Sequence, residues 1–225
     1  MIRVGGMTPL TTIDFPGRLA AVLFLQGCPW RCDYCHNPHL LPARASTGVA
    51  WTSVLAFLER RSGLLDGVVF SGGEPTLQAG LGEAIEVVRG LGYGAALHTG
   101  GMYPERLRPL LSRLDWIGLD IKAPWHLYDS VTRCHGSGRK VGDSLHDVLH
   151  SGVAHECRTT WHPGLFPENE LHHLADELRD AGVQHWALQE CRIEGHPHPE
   201  WKTPDLRQLG KGFASFVFRG NQPGA

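Results

Sequence analysis

The sequence lacks any hydrophobic run that could cross a membrane. Its longest unbroken apolar stretch, residues 19–25, is far shorter than the roughly 20 residues that a membrane-spanning helix needs. Residues 1–6 contain no apolar segment of the length that a secretory signal requires. We therefore expect a protein without a membrane span, placed in the reducing cytoplasm.

Basic charge is also scarce. The 225 residues include 21 Lys and Arg against 23 Asp and Glu, which gives a formal net charge of -2. Binding to a phosphate backbone needs clustered basic charge, so nucleic acid is not an expected partner. A hydrophobic fraction of 42% with 20% charged residues excludes a disordered chain. The length fits a single domain, which we expect to span residues 1–225.

Short apolar runs alternate with segments of helical periodicity along most of the chain. The runs lie at residues 20–26, 67–71, 95–99, 116–121, 158–161 and 186–189. Continuous apolar strands are typical of parallel sheets covered on both faces. A closed eight-unit barrel typically needs about 250 residues. Six strand–helix units therefore favour an α/β fold of the partial (β/α)6 barrel type, with a doubly wound open sheet as the alternative. In either fold the chemistry lies at the carboxyl ends of the strands.

Two helix boundaries can be predicted from capping residues. Thr203 followed by Pro204 predicts the start of a last helix, which carries Phe213 and Phe216 on its apolar face. Asp143 or Ser144 is expected to cap an earlier helix.

Cysteine is infrequent, but its distribution is uneven. Three of the six cysteines, Cys28, Cys32 and Cys35, fall in the long connection after the first predicted strand. Such closely spaced thiolates can surround one soft metal centre. The spacing alone leaves three interpretations open: buried structural thiols, a zinc site completed by His36 or His39, and an iron–sulfur cluster with one iron left open to a ligand.

The cysteine pattern, with aromatic Tyr34 before Cys35, resembles the signature of radical S-adenosylmethionine enzymes. In that family three cysteines hold a [4Fe-4S] cluster, and the amino and carboxylate groups of S-adenosylmethionine chelate the fourth iron. The resemblance implies these two cofactors here, with Cys28, Cys32 and Cys35 as ligands of the cluster. It also places Tyr34 among the residues that bind S-adenosylmethionine.

A second segment at the end of the next strand extends the resemblance. Gly72, Gly73 and Glu74 are similar to the family's glycine-glycine-glutamate motif, which cradles the methionyl amine. Two glycines let the backbone approach a ligand closely, and exposed carbonyls with a carboxylate suit an ammonium group.

Residues 12–17, 119–122 and 158–160 narrow the resemblance to the small activating enzymes of glycyl-radical proteins. By this resemblance Asp120 and Lys122 contact S-adenosylmethionine, and Thr99 lines the same cavity. An electron from a flavodoxin or ferredoxin would reduce the cluster, and the resulting 5′-deoxyadenosyl radical would take a hydrogen atom from a glycine of the partner. The resemblance is nearest to activators of anaerobic ribonucleotide reductase, which is the implied partner. No cysteine cluster follows Cys35, so a single cluster is implied.

Two alternatives stay open at this stage. Within the enzymes, the target could be another glycyl-radical enzyme or a peptide. Outside them, the chain could be a non-catalytic zinc or iron–sulfur binding module, although the Gly72–Gly73 pair argues against it.

Several reactive side chains have no obvious place in this site. Three cysteines without a nearby partner, Cys134, Cys157 and Cys191, are predicted to be buried free thiols. His98 and His162 lie at strand ends, where a structural or a catalytic role is open. Residues 195–199 contain two histidines and are expected to form a surface loop that could bind stray metal in vitro.

Overall fold

An eight-stranded sheet organises the chain in the computed structural model, which describes residues 2–44, 48–193 and 196–220. Its strands are β1 (Val4–Thr11), β2 (Ala20–Leu25), β3 (Gly67–Gly72), β4 (Gly94–Thr99), β5 (Trp116–Asp120), β6 (His155–Trp161), β7 (His185–Glu190) and β10 (Ser215–Arg219). Two short strands, β8 (Arg192–Ile193) and β9 (His196–Pro197), form a separate antiparallel pair. The helices are α1 (Trp51–Arg60), α2 (Leu81–Gly90), α3 (Pro104–Leu107), α4 (Tyr128–Thr132), α5 (Ser137–His150), α6 (Glu168–Asp180) and α7 (Leu206–Gly210). None of these helices is long and apolar enough to cross a membrane.

The six predicted strands all form, as β2 to β7, and each pairs in parallel with the next one along the chain. The strand order has no reversal, which excludes a doubly wound sheet and confirms the partial barrel. Two edge strands were not predicted. β1 pairs antiparallel with β2, and β10 adds a further parallel strand beside β7.

The predicted last helix is wrong over most of its length. Only α7 is helical, and it begins after Asp205, whose carboxylate accepts a hydrogen bond from the Gln208 amide at 2.9 Å. Phe216 lies in β10 instead, where its ring packs 5.2 Å from that of Trp186. Pairing with the open edge of β7 and packing against Trp186 outweigh the helical spacing of the apolar residues.

The predicted cap at Asp143 or Ser144 is also wrong, because both residues lie inside α5. The cap comes from the preceding helix. The Asp129 carboxylate accepts hydrogen bonds from the amides of Gly136 at 2.6 Å and Ser137 at 2.9 Å. A carboxylate at this end also complements the helix dipole.

Apolar side chains fill the amino end of the barrel interior. Phe15 is 3% exposed and packs beside Gly67, where a built Cβ would lie only 2.7 Å from its ring. The same interior cluster includes Ala20, Val22 and Trp116. These side chains fill the interior at this end, where a cavity of about 530 Å³ lies beside Phe15 and Trp116. The interior itself opens at the carboxyl ends of the strands.

Candidate functional site

A cavity of about 580 Å³ lies at the carboxyl ends of the parallel strands. Its lining includes all ten residues that the resemblance assigned to the two cofactors: Cys28, Cys32, Tyr34, Cys35, Gly72, Gly73, Glu74, Thr99, Asp120 and Lys122. Its volume lies within the range of pockets that bind cofactors.

The cysteine loop is held by backbone hydrogen bonds at both of its ends. Gly27, with φ of +102°, turns the chain out of β2, and its amide donates to the Leu40 carbonyl at 2.7 Å. The Cys35 amide donates to the Cys32 carbonyl at 3.1 Å. Trp30 anchors the middle of the loop, because it is 3% exposed and its indole N–H donates to the Met102 sulfur at 3.2 Å.

The three cysteines of the loop are half-buried free thiols. Burial raises the pKa of Cys28 to about 12 and raises the pKa of Cys32 above its ordinary value. Without a cation these two groups are therefore protonated at neutral pH, whereas a metal centre would favour their thiolate forms.

The three cysteines do not form a preassembled single-ion site in the described residues. Two groups of His, Cys, Asp or Glu have ligand atoms that all lie within 4.8 Å, and neither includes a cysteine. The choice between a zinc site with His36 or His39 and an iron–sulfur cluster therefore rests on the family to which the chain belongs.

The glycine pair fits against the cysteine loop itself. A Cβ built on Gly73 would overlap the carbonyl oxygen of Gly27, and Gly72 has φ of +113°, which favours glycine. The Glu74 amide donates to the same Gly27 carbonyl at 2.8 Å. These glycines thus serve the contact between two loops as well as access to the cavity.

The sequence predicted that the Glu74 carboxylate faces the ammonium group of the ligand, but in the structure protein groups bind it. The side chain is 1% exposed, and its oxygens accept hydrogen bonds from the Thr99 hydroxyl at 2.6 Å and the Gly100 amide at 2.9 Å. Thr76 donates two more, from its amide and its hydroxyl. The carboxylate thus joins the end of β3 to the end of β4 and is largely engaged by protein donors.

A charged network lies at the ends of β5 and β6. Asp120 accepts from Lys122 at 3.1 Å and from Arg158 at 2.8 Å. Burial alone would raise the pKa of Asp120, but the charges of Arg158 and Lys122 hold it well below its usual range. For Lys122 the directions are reversed. Burial alone would lower its pKa, but the charge of Asp120 raises it above its ordinary value. Both groups are therefore charged at neutral pH.

His98 is a neutral member of this network. Its Nδ1 lies 3.1 Å from an Arg158 nitrogen, which can only donate, so Nε2 carries the proton and donates to the Asp14 carbonyl at 2.9 Å. Burial, followed by the charge of Arg158, lowers the pKa of His98 to about 3. His98 is thus a structural hydrogen-bonding residue in this structure.

Tyr34 lies beside the ammonium of Lys122, whose nitrogen is 5.8 Å from the centre of the ring. The Tyr34 hydroxyl is buried without a hydrogen-bond partner among the described residues. Burial raises its pKa well above the usual value, so the group is a neutral donor. An unpartnered polar atom in the wall of a cavity is suited to a bound ligand.

Arg158 was missed as a site residue by sequence reasoning, although it stood in a segment that resembled the activating enzymes. It lines the cavity and is 8% exposed. The available signal was a charged residue inside an apolar strand, since such a charge needs a buried partner. Thr160, Gln189, Glu190 and Arg192 also line the cavity and were not predicted.

The three remaining cysteines do not line this cavity in the described structure. Cys157 and Cys191 are buried free thiols, as predicted, whereas Cys134 is only half-buried.

Known proteins of one superfamily are similar to this chain in sequence. Residues 22–181 match the Radical SAM superfamily. A Methanocaldococcus jannaschii protein, MJ1227, whose name assigns it to the glycyl-radical enzyme activating enzymes, is 29% identical over 92% of this chain and 90% of its own. The pyruvate formate-lyase-activating enzyme of Clostridium pasteurianum is 32% identical over 80% of this chain and 77% of its own.

Solved structures show the same fold at low sequence identity. A radical SAM methyltransferase from Sphaerobacter thermophilus has a TM-score of 0.65 at 17% identity, over 93% of this chain and 68% of its own. SuiB of Streptococcus suis, solved with S-adenosylmethionine bound, has a TM-score of 0.64 at 13% identity, over 87% of this chain and 48% of its own. The chain therefore belongs to the radical SAM superfamily and, within it, to the glycyl-radical enzyme activating enzymes, which use a [4Fe-4S] cluster and S-adenosylmethionine.

Proposed function

We propose that this enzyme generates a glycyl radical on anaerobic ribonucleotide reductase, using the cavity at the carboxyl ends of the strands. The observation that carries the proposal is that all ten candidate residues line this one cavity. When bound, the cluster would supply an electron to S-adenosylmethionine. S-adenosylmethionine would supply the 5′-deoxyadenosyl group that takes a hydrogen atom from the target glycine.

In this proposal the cysteine loop supplies the three thiolates, Cys28, Cys32 and Cys35. Trp30 fixes the loop against the core, so the thiolates face the cavity with little freedom.

The opposite wall would bind S-adenosylmethionine. The ammonium of Lys122 is a charged donor suited to its carboxylate, and Asp120 keeps that ammonium in place. Gly72 and Gly73 leave room for the methionyl group, while Glu74 holds the strand end that carries them. Thr99 contributes to this support because its hydroxyl is bound to Glu74, and the free hydroxyl of Tyr34 is available to the ligand.

Cofactor binding can be tested apart from the partner. The change Lys122→Met in cluster-loaded protein should weaken S-adenosylmethionine binding by about 1.5–3 kcal/mol, because a hydrogen bond to a charged group is lost. Lys211→Met, at an exposed position after α7, serves as the control. Unchanged affinity in the Lys122 variant, measured by equilibrium dialysis, would remove Lys122 from the site.

The choice of partner is supported by the resemblance of residues 12–17 and 158–160 to activators of that reductase. The clustered cysteines are limited to one set, which supports a single cluster without a ferredoxin-like insert. A flavodoxin or ferredoxin would supply the electron. Pyruvate formate-lyase is the second candidate partner, because a relative that covers most of this chain is named for activating it.

The test mixes the reduced enzyme and S-adenosylmethionine with either candidate partner in the absence of oxygen. An electron paramagnetic resonance doublet on the reductase, which collapses when its glycine carries deuterium at the α-carbon, would support the proposal. A doublet on pyruvate formate-lyase alone would replace the reductase as partner. Formation of 5′-deoxyadenosine without a radical on either protein would contradict both assignments and leave a peptide as the substrate to be sought.

A further inference from the structure

Two histidines outside the cavity lie face to face near the carboxyl ends of β6 and β7. His162 directly follows β6, and His198 directly follows β9. Their rings are stacked with centroids 3.7 Å apart and planes inclined by 18°. Backbone hydrogen bonds fix this position, since the His198 amide donates to the Cys191 carbonyl at 2.9 Å and the Cys191 amide donates to the Trp161 carbonyl at 3.1 Å.

A carboxylate completes the group. An oxygen of Glu200 lies 3.9 Å from Nδ1 of His162. The carboxylate lies directly against Gly164, where a built Cβ would overlap that oxygen. One ligand atom from each of His162, His198 and Glu200 lies within 4.8 Å of the others. Glu200 therefore points back toward the histidines although its side chain is largely exposed.

His162, the buried histidine of this group, has a ring nitrogen without a hydrogen-bond partner among the described residues. The residue is 8% exposed, and this nitrogen is its buried Nδ1. An imidazole nitrogen that makes no hydrogen bond is available to bind a metal ion.

We propose that His162, His198 and Glu200 form a binding site for a divalent transition-metal cation of the Zn²⁺ class, separate from the cysteine loop. Imidazole and carboxylate are donors that this class accepts, and three protein donors leave one coordination position for water. The Glu200 amide donates to Nδ1 of His198 at 3.2 Å, and a cation at that nitrogen replaces this contact.

The site joins two parts of the chain that border the cavity. Its ligands come from the end of β6 and from the segment after β9, while Glu190 and Arg192, between them in the chain, line the cavity. A bound cation therefore fastens the β8–β9 segment beside the cavity. Gly195, the first residue of the histidine-containing loop identified in the sequence, lies outside the described residues.

A second histidine group provides an internal control. His126, His173 and Glu177 also come within 4.8 Å, but His126 pairs with Glu170 and His173 with Glu177, each at 3.2 Å. Both histidines are exposed and already have carboxylate partners, so this group offers no buried, unpartnered nitrogen.

The experiment measures zinc bound to full-length, cluster-loaded protein, because the cysteines of a cluster-free chain would bind zinc themselves. The protein is equilibrated anaerobically with micromolar Zn²⁺, passed over a chelating resin and analysed by mass spectrometry of the metal. The variants His162→Gln and His198→Gln each remove one ligand. The controls are His196→Gln, an exposed histidine in the same segment, and His173→Gln in the second group.

We expect the wild type and both controls to retain about one more zinc per chain than the two ligand variants. Zinc should also raise the midpoint of thermal unfolding of the wild type but not that of His198→Gln. Absence of zinc from the wild type, equal zinc in all proteins, or loss only in His173→Gln would each overturn the proposal.

Gly164→Ala tests the same site without removing a ligand. Its Cβ displaces the end of the flexible Glu200 side chain, so the fold should be unaffected while zinc affinity falls at least about tenfold. Unchanged affinity in this variant, measured by calorimetry against a zinc chelator, would exclude Glu200 as a ligand and overturn the three-ligand site.

Discussion

The strand side and the loop side of the cavity differ in what holds their functional groups in place. On the strand side, Asp120, Lys122, Arg158 and His98 already hold one another through hydrogen bonds of 2.8 to 3.1 Å. On the loop side, burial raises the pKa of Cys28 and of Cys32, so both are neutral thiols in the absence of a cluster. The strand side is preorganised by its own hydrogen bonds, whereas the loop side is completed only when the iron–sulfur cluster binds. We therefore expect mutations on the loop side to change the cluster content and mutations on the strand side to change the free energy of unfolding.

The largest effect is expected on the loop side. Cys32→Ala should abolish the cluster, because the open-iron arrangement needs all three thiolates. The folded chain should persist, since Cys32 is half-buried and has no partner that depends on it. Iron and sulfide analysis measures the outcome, with the buried Cys157→Ala as control. A full cluster in the Cys32 variant would contradict its assignment as a ligand.

The next effect should appear in the stability of the strand side. Arg158→Gln leaves the Asp120 carboxylate with Lys122 alone and removes the donor of His98, so we expect a loss of about 3 kcal/mol in the free energy of unfolding. Arg219→Gln breaks a more exposed pair with Glu156 and should cost less than about 1 kcal/mol. Urea unfolding of both variants checks the difference, and equal losses would show that the network is no more preorganised than a surface pair.

A smaller effect is expected where the two walls meet. Gly73→Ala places a Cβ against the carbonyl of Gly27, which is backbone and cannot rotate away. The chain must shift beside Cys28, so we expect a loss of about 1–3 kcal/mol in unfolding free energy together with reduced cluster content. Gly90→Ala, where nothing lies within 4 Å of the built Cβ, is the matched control. Normal cluster content in the Gly73 variant would mean that the junction is looser than the structure indicates.

The last expected effect is a pH dependence of the strand side. The folded-state pKa of His98 is about 3, below its ordinary value of 6.5. Its contribution to stability is therefore complete above pH 6.5 and declines as the pH falls from 6.5 toward 3, by up to about 1.4 kcal/mol per pH unit. His98→Gln should flatten the fall in unfolding free energy between pH 6.5 and 5. The exposed His146→Gln should not, and identical slopes in all three proteins would refute the low pKa.

Much of the fold follows from local sequence patterns, and the failures have a common cause. The continuous apolar runs predicted β2 to β7, because strands buried on both faces leave few other interpretations. The segment around Phe216 was mistaken for a helix, since its spacing fits both structures and the deciding contact, the edge of β7, lies far away in the chain. The start of α5 was missed because its cap is supplied by Asp129, a residue of the preceding helix and not one next to the helix start.

The candidate site shows the same division between local and distant information. The cysteine spacing and the glycine pair are local patterns, and they indicated residues that line one cavity. The engagement of the Glu74 carboxylate by Thr99 and Gly100 could not be predicted, because it depends on which strand lies next to β3. Arg158 was overlooked because its role arises from partners on β4 and β5.

The burial of Cys28 and Cys32 couples assembly of the holoenzyme to the acidity of its surroundings. Both sulfurs carry protons in the cluster-free chain, so loading must release them to the solvent. Mass action then makes every drop in pH oppose maturation, even though the strand side keeps its charges. Acid therefore shifts the population toward the cluster-free chain.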